Sequence, residues 1–288
     1  MIKRLSLLVG AASLLASAAF GAMADKPVEI GLQLYSLRGQ FLTQVPETIQ
    51  LVAKSGVKEV ELAGTYGIAP ATFKKMLTDA GLHPVSGHFP FEKFDKALPE
   101  VVAEVKALGL AYAGTAWIPH EGGFDEADAR RAIEVFNRAG KELAKHGVQF
   151  FYHCHGYEFQ RYGDATLMDL IIRETDEDAV AFEMDTLWVY LPGEDPAAWL
   201  RKYPSRWQLL HLKDIRKGVA RAFDGAGRDK ENNVVLGTGQ MDFKALLEAA
   251  REVGVRHYFI EDESSAAPAQ IPQSVTFLKQ ATAPGGVR

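Results

Sequence analysis

The chain has 288 residues, 47% of them hydrophobic and 24% charged, with a formal net charge of −5 and one cysteine, Cys154. That length suffices for a single large domain with an extensive core. The acidic balance excludes a chain-wide basic footprint of the kind duplex DNA demands, and one thiol excludes an intramolecular disulfide.

Residues 1–24 read as a secretory leader. Lys3 and Arg4 supply a positive start, Leu5 to Phe20 is an apolar run with small residues, and Ala22-Met23-Ala24 is a small-x-small cleavage pattern before Asp25. The run is short for a bilayer span. The expectation is therefore export, periplasmic in a Gram-negative source, with cleavage and no stable membrane insertion afterwards. Lys3 and Arg4 are the charged residues lost, so the remaining chain, 25–288, carries −7.

From Val28 onward, short β-branched or apolar runs alternate with longer helical patterns. Eight strands are expected: Glu29–Leu34, Glu59–Leu62, His83–Gly87, Tyr112–Ala116, Gln149–His153, Val180–Met184, Trp207–His211 and Tyr258–Ile260. Helices are expected over Val45–Lys54, Pro70–Ala80, Glu92–Leu108, Asp125–His146 and Phe243–Val253, each closed by glycine: Gly56, Gly81, Gly109, Gly147 and Gly254. A last helix is expected over Gln273–Gln280. The rhythm fits parallel strands with crossover helices. An open doubly wound sheet would carry a glycine-rich turn after its first strand, whereas this chain reads Leu34-Tyr35-Ser36-Leu37-Arg38. The fold class expected is an α/β single domain, a (β/α)8 TIM barrel. Arg216–Gln240 is long and irregular. After a strand it lies on the active face, either as a cover for the site or as a solvated insertion.

The polar residues cluster at strand ends. Alternation puts Leu209, His211 and Lys213 on one parity, Phe259, Glu261 and Glu263 on another strand's, and Glu183 with Asp185 on a third. Each set pairs apolar or mid-strand positions with a polar mouth. Carboxylates converging on one mouth repel unless a cation sits among them, and carboxylate with imidazole suits divalent manganese, cobalt, zinc or magnesium to different degrees.

The order and spacing of His153-Cys154-His155-Gly156-Tyr157-Glu158-Phe159, Met184-Asp185-Thr186-Leu187-Trp188, His211-Leu212-Lys213-Asp214 and Leu236-Gly237-Thr238-Gly239-Gln240-Met241-Asp242-Phe243 resemble the xylose-isomerase-like barrel superfamily, in particular its sugar phosphate isomerase/epimerase group. The resemblance implies a metal held by a carboxylate of the fifth strand, an aspartate of the sixth, a histidine of the seventh and a glutamate of the eighth. The last three map onto Asp185, His211 and Glu261. The fifth strand departs from the pattern: its first acid is Glu158 in the following turn, which is assigned as the fourth ligand, with His153 or His155 as substitutes.

Other roles follow, each beside a plainer reading. His155 is a general acid/base or substrate contact, or a histidine that orients a ligand. Lys213 is an electrostatic or substrate group, or a partner for Asp214 or Glu263. Glu61 and His88 contact substrate hydroxyls, or are strand-end polar residues facing solvent. Trp117 and Trp188 wall a sugar pocket, or are core, and His153 joins the substrate contacts. Glu158 and Glu261 double as catalytic groups. Cys154 is a small core filler, and His120, His146 and His257 are surface residues.

The activity implied is proton abstraction next to a sugar carbonyl, through an enediolate, by an isomerase or epimerase. Export disfavours a phosphorylated substrate, so a free sugar or an oxidised glycoside is expected. Two alternatives stand: a 3-keto-glycoside lyase or hydrolase at the same metal, and a periplasmic sugar-binding protein without turnover. The superfamily's zinc endonucleases use a richer histidine set than the eight here, so no nucleic-acid partner is expected. Self-association into a homo-oligomer is left open.

Overall fold

A computed structural model describes residues 28–223 and 229–283, so the leader assigned to residues 1–24 lies outside the described residues. Eight parallel strands close into a barrel: β1 (Ile30–Gln33), β2 (Glu59–Leu62), β3 (His83–His88), β4 (Tyr112–Thr115), β5 (Gln149–His153), β6 (Val180–Asp185), β7 (Trp207–Leu212) and β8 (His257–Ile260). β1 pairs with both β2 and β8, which shuts the ring. This is the TIM barrel expected from the sequence, with crossover helices outside it. Among the described residues no helix is long and apolar enough to cross a membrane.

The helices follow local chemistry. Val45–Lys54 matches its expected bounds. Glu126–Ala144 starts on a reciprocal capping box of Asp125 and Asp128. The run expected as one helix over Glu92–Leu108 breaks into Phe91–Lys96 and Leu98–Leu108. Pro99 has no N–H to offer the carbonyl four residues back, and a residue before proline resists helical geometry. Gly109 (φ 72°) then ends the second piece by returning its N–H to Val105 O at 2.8 Å. The last helix starts at Ala267, earlier than expected, and takes Pro272 inside it.

Alternation divides the strand side chains between two cores. Outward residues such as Val60, Phe150, Tyr152, Phe182 and Trp207 pack under the helices. Inward residues Tyr112, Phe151, Ala181, Leu209 and Phe259 fill the lower bore. Two glycines make room for those rings. A Cβ on Gly31 would meet the Phe259 ring at 2.4 Å, and one on Gly114 would meet Phe151 O at 2.2 Å. His257 was expected at the surface. It instead faces the lower bore and pairs with Glu59 at 2.7 Å, because its parity is that of Phe259 and Glu261. With the lower bore packed, the polar inward residues are left for the carboxyl end, where such barrels place their chemistry.

Candidate metal centre

Two groups of ligand atoms are stacked at the carboxyl end, and His211 belongs to both. The deeper contains Glu61, His88, Glu183 and His211; the outer contains His153, Asp185, His211 and Glu261. Parity explains the sharing. β7 sends His211 inward one layer above Leu209, so its two ring nitrogens face opposite layers. Nε2 lies 2.6 Å from Glu61 Oε1 and 3.2 Å from Glu183 Oε2. Nδ1 lies 2.9 Å from both His153 Nε2 and Glu261 Oε2.

Glu61, expected as a substrate contact, does not line the cavity and sits beneath His211. It is fully buried, with Gln33 Nε2 and Ser86 Oγ each donating at 2.6 Å. A carboxylate behind a histidine's far nitrogen fixes the ring's orientation and tautomer. Burial works to raise the Glu61 carboxyl, but the His88 and His211 imidazoles outweigh it and hold it well below the usual range. Burial likewise works against charge on His88, but Glu61 and Glu183 prevail and lift it to about 9.

The outer group fits a divalent cation. Its four residues are buried and contribute two imidazoles and two carboxylates. One oxygen of Asp185 is fixed by the backbone N–H groups of Leu187 and Trp188, at 2.9 and 3.0 Å, because the residue caps the short helix Thr186–Tyr190. The other oxygen is buried and accepts no well-directed hydrogen bond. It stands 3.5 Å from His153 Nε2 and 3.9 Å from His211 Nδ1. Two imidazole nitrogens facing each other at 2.9 Å, beside Asp185 and Glu261 oxygens that the Lys213 ammonium approaches at 3.0 and 2.8 Å, are the donor set a divalent cation would share with that ammonium.

Glu158 does not join this group, and the assignment of it as fourth ligand is corrected. Its carboxyl accepts from the Tyr152 hydroxyl and, at 2.8 and 3.1 Å, from the His155 backbone N–H. Tyr152 points outward from β5, stacked on Phe136 of the outer helix, 4.9 Å between ring centroids. The turn after β5 therefore carries Glu158 into the outer core. Burial with no facing cation pushes its carboxyl up to about 8, so it is a neutral acid at pH 7. His153, on the inward parity, occupies the fifth-strand position in the group.

Above the metal group opens a cavity of about 480 Å³. His88, His153, His155, His211, Lys213 and Glu261 line it, with Trp117 and Trp188 as aromatic walls; Glu61, Asp185 and Glu158 do not. Trp117 is 49% exposed and stacks on His120, 4.8 Å between centroids. Trp188 lies 5.3 Å from the His155 ring. His155 is partly buried, and burial together with the neighbouring His153 pushes it well down, so it is a neutral imidazole at pH 7. Lys213 is buried but charged. Asp185, Glu261 and Glu263 stand 3.0, 2.8 and 2.8 Å from its Nζ and outweigh the desolvation that would lower it.

Three further polar lining residues were not among the expected site residues: Tyr35, Lys230 and Glu263, the last expected only as an inward residue of the eighth strand and a possible partner of Lys213. Lys230 comes from the irregular segment after β7, and pairs with Glu263 at 2.8 Å. That segment thus covers part of the site. It is tied down by Asp214, whose carboxylate accepts backbone N–H groups of Ile215, Gly237, Gly239 and Met241 at 2.8 to 3.1 Å. Lys213 therefore pairs with Glu263 and not with its neighbour Asp214.

Comparison with known proteins identifies the family. Inosose dehydratase from Lacticaseibacillus casei is 26% identical over 253 residues, 77% of this chain and 84% of that protein. The crystal structure of a sugar phosphate isomerase/epimerase from Parabacteroides distasonis ATCC 8503 is 28% identical, with a TM-score of 0.75 over 91% of this chain and 96% of that one. The IOLI protein, solved with a bound zinc atom, shares the fold at 13% identity, with a TM-score of 0.69 over 88% and 97% of the two chains. The family model described as xylose isomerase-like TIM barrel matches residues 49–281. The chain belongs to the xylose isomerase-like TIM barrel family, a family of enzymes.

Proposed function

We propose that the protein is a divalent-metal-dependent enzyme that removes the proton next to the carbonyl of an unphosphorylated sugar or related ring ketone, with loss of an oxygen substituent from the β-carbon as its outcome. The observation that carries this reading is the convergence of His153, Asp185, His211 and Glu261, three of which line the floor of a cavity walled by Trp117 and Trp188. The relatives named inosose dehydratase support elimination. With two imidazoles in the set, zinc, cobalt or manganese suits it better than magnesium, which favours oxygen ligands.

A bound cation supplies stabilisation of the negative charge that develops on the carbonyl oxygen. The chain's own groups do the rest. His155, neutral and on the cavity wall, takes the C–H proton. The C–H electron pair forms the new C=C bond and the C–O bond to the β-substituent breaks. The leaving oxygen takes a proton from His88, which its carboxylates keep charged, and departs as water or an alcohol. Neighbouring groups whose pKa values are pushed apart are suited to these opposite roles. Lys213 offsets part of the negative charge of Asp185, Glu261 and Glu263, which converge on its ammonium.

A phosphorylated substrate is disfavoured because both lining lysines already have carboxylate partners. An isomerase or epimerase outcome shares the first step and is supported by the Parabacteroides structure's description. The leader-like residues 1–24 support action outside the cytoplasm.

The test combines metal analysis with turnover of free keto-sugars, inososes and 3-keto-glycosides in deuterated water, for the wild type and Asp185→Asn. The expected result is about one ion per wild-type chain, with C–H exchange and elimination, and loss of both ion and turnover, by more than about 100-fold, in the variant. Equal turnover in the two proteins, or full activity in a metal-free sample, overturns the proposal. Exchange without elimination selects the isomerase outcome.

A further inference from the structure

We propose that the site continues past the metal cavity into a second hollow that holds the outer unit of a neutral, two-unit glycoside; this rests on the function proposed above and narrows its substrate class. The second hollow, of about 430 Å³, is lined by Ser36, Arg38, Gln40 and Ser265, and shares Lys230 and Glu263 with the metal cavity. Glu263 is the joint between them. Its Oε1 pairs with the buried Lys213 of the inner cavity, and its Oε2 with the half-exposed Lys230 of the rim, each at 2.8 Å. A ligand seated over the metal group and longer than one ring passes over this pair into the outer hollow.

Two features fit the outer hollow to a sugar ring. One is a braced planar surface. Tyr35, 40% exposed on the wall of the inner cavity, carries the Arg38 guanidinium 4.5 Å from its ring centroid. Arg38 is fixed by bonds to Tyr35 O at 3.0 Å and Glu263 O at 3.2 Å. These use two of the five donors a guanidinium offers, and leave others for hydroxyl groups. A planar group held in advance costs little ordering when it binds. The other feature is charge. The lining carries two cations, Arg38 and Lys230, and two carboxylates, Glu231 and Glu263, so the hollow has donors and acceptors but no excess positive charge to draw an anion. A neutral polyhydroxylated unit uses both kinds of group; a phosphate or carboxylate does not.

The experiment measures kcat/KM for two 3-keto-glucosides, one with a methyl and one with a glucosyl leaving group, on the metal-loaded protein. The glucosyl substrate is expected to be at least tenfold better, and Arg38→Ala is expected to remove that advantage. Gln40→Trp, which fills the hollow without breaking an ion pair, is expected to remove it too, so misfolding of one variant leaves the other as the test. Equal kcat/KM for the two substrates, an advantage that survives both substitutions, or a greater advantage for a glucuronyl leaving group overturns the inference. Should neither keto-glucoside react, the fault lies with the proposed function. Calorimetry with unoxidised methyl glucoside and glucose disaccharides then still tests the hollow: tenfold tighter binding of a disaccharide sustains it and equal binding overturns it.

Discussion

Glu158→Gln separates a folding role from a catalytic one. The carboxyl is buried, faces no cation, and titrates near 8 where an ordinary glutamate has 4.5. At 1.36 kcal/mol per decade, its ionised form is about 5 kcal/mol less favourable in the fold than in the unfolded chain. Between these two values the unfolded chain has released the proton and the fold still holds it, so each rise in pH favours unfolding. The stabilisation is complete below about pH 4.5 and is lost as pH passes through about 8. Glutamine keeps an acceptor for the Tyr152 hydroxyl and the His155 N–H but has no proton to lose. Urea unfolding at pH 5, 6, 7, 8 and 9, with a chelator in both samples, should show wild-type stability falling relative to the variant by up to about 5 kcal/mol and levelling above pH 8. Metal content and turnover at pH 7 should stay within about threefold of wild type. Parallel pH profiles would refute the neutral buried acid, and loss of the ion in the variant would restore Glu158 as a ligand.

Trp117→Ala removes a half-exposed aromatic wall of the cavity, on which no candidate ligand atom of the metal group depends. It should raise KM about two- to tenfold, the worth of an aromatic contact, with kcat nearly unchanged; steady-state kinetics decide, and a fall in kcat alone would contradict the assignment. Asp214→Ala strands four backbone N–H groups and should cost about 2–4 kcal/mol after partial rescue by water. Thermal unfolding would then shift by about 5–15 °C, and an unchanged midpoint would show that the loop is held by other contacts. The proposed export predicts that the intact mass of the protein recovered from its host corresponds to a chain beginning at Asp25; a mass that includes residues 1–24 would refute cleavage there.

Much of this site could be read from alternation alone. His211, Lys213, Asp185 and Glu261 project inward because each lies an even number of residues above a bore-filling residue of its own strand: Leu209, Ala181 or Phe259. The same rule, applied to β5 through Phe151, points to His153 rather than Glu158. Glu158 is the first acid after β5, and the turn that carries it outward has no periodic signal. Glu61 obeyed the parity but not the depth, since β2 places it below the mouth, under His211. Tyr35 and Lys230 come from connecting segments, where position depends on long-range anchors such as the Lys230–Glu263 pair. The break at Pro99 was visible in the sequence but was overridden by the apolar spacing around it.

The tether formed by Asp214 bears on how such a protein can diversify. The segment after β7 is pinned near both ends, by Asp214 reaching Gly237, Gly239 and Met241, and by the bridge between Ile215 and Asn233. Exchanges between those anchors can alter what enters the mouth while the barrel and its ligand atoms stay in register. Selection for a new substrate therefore has a replaceable part to work on, and it need not trade away the stability of the bore.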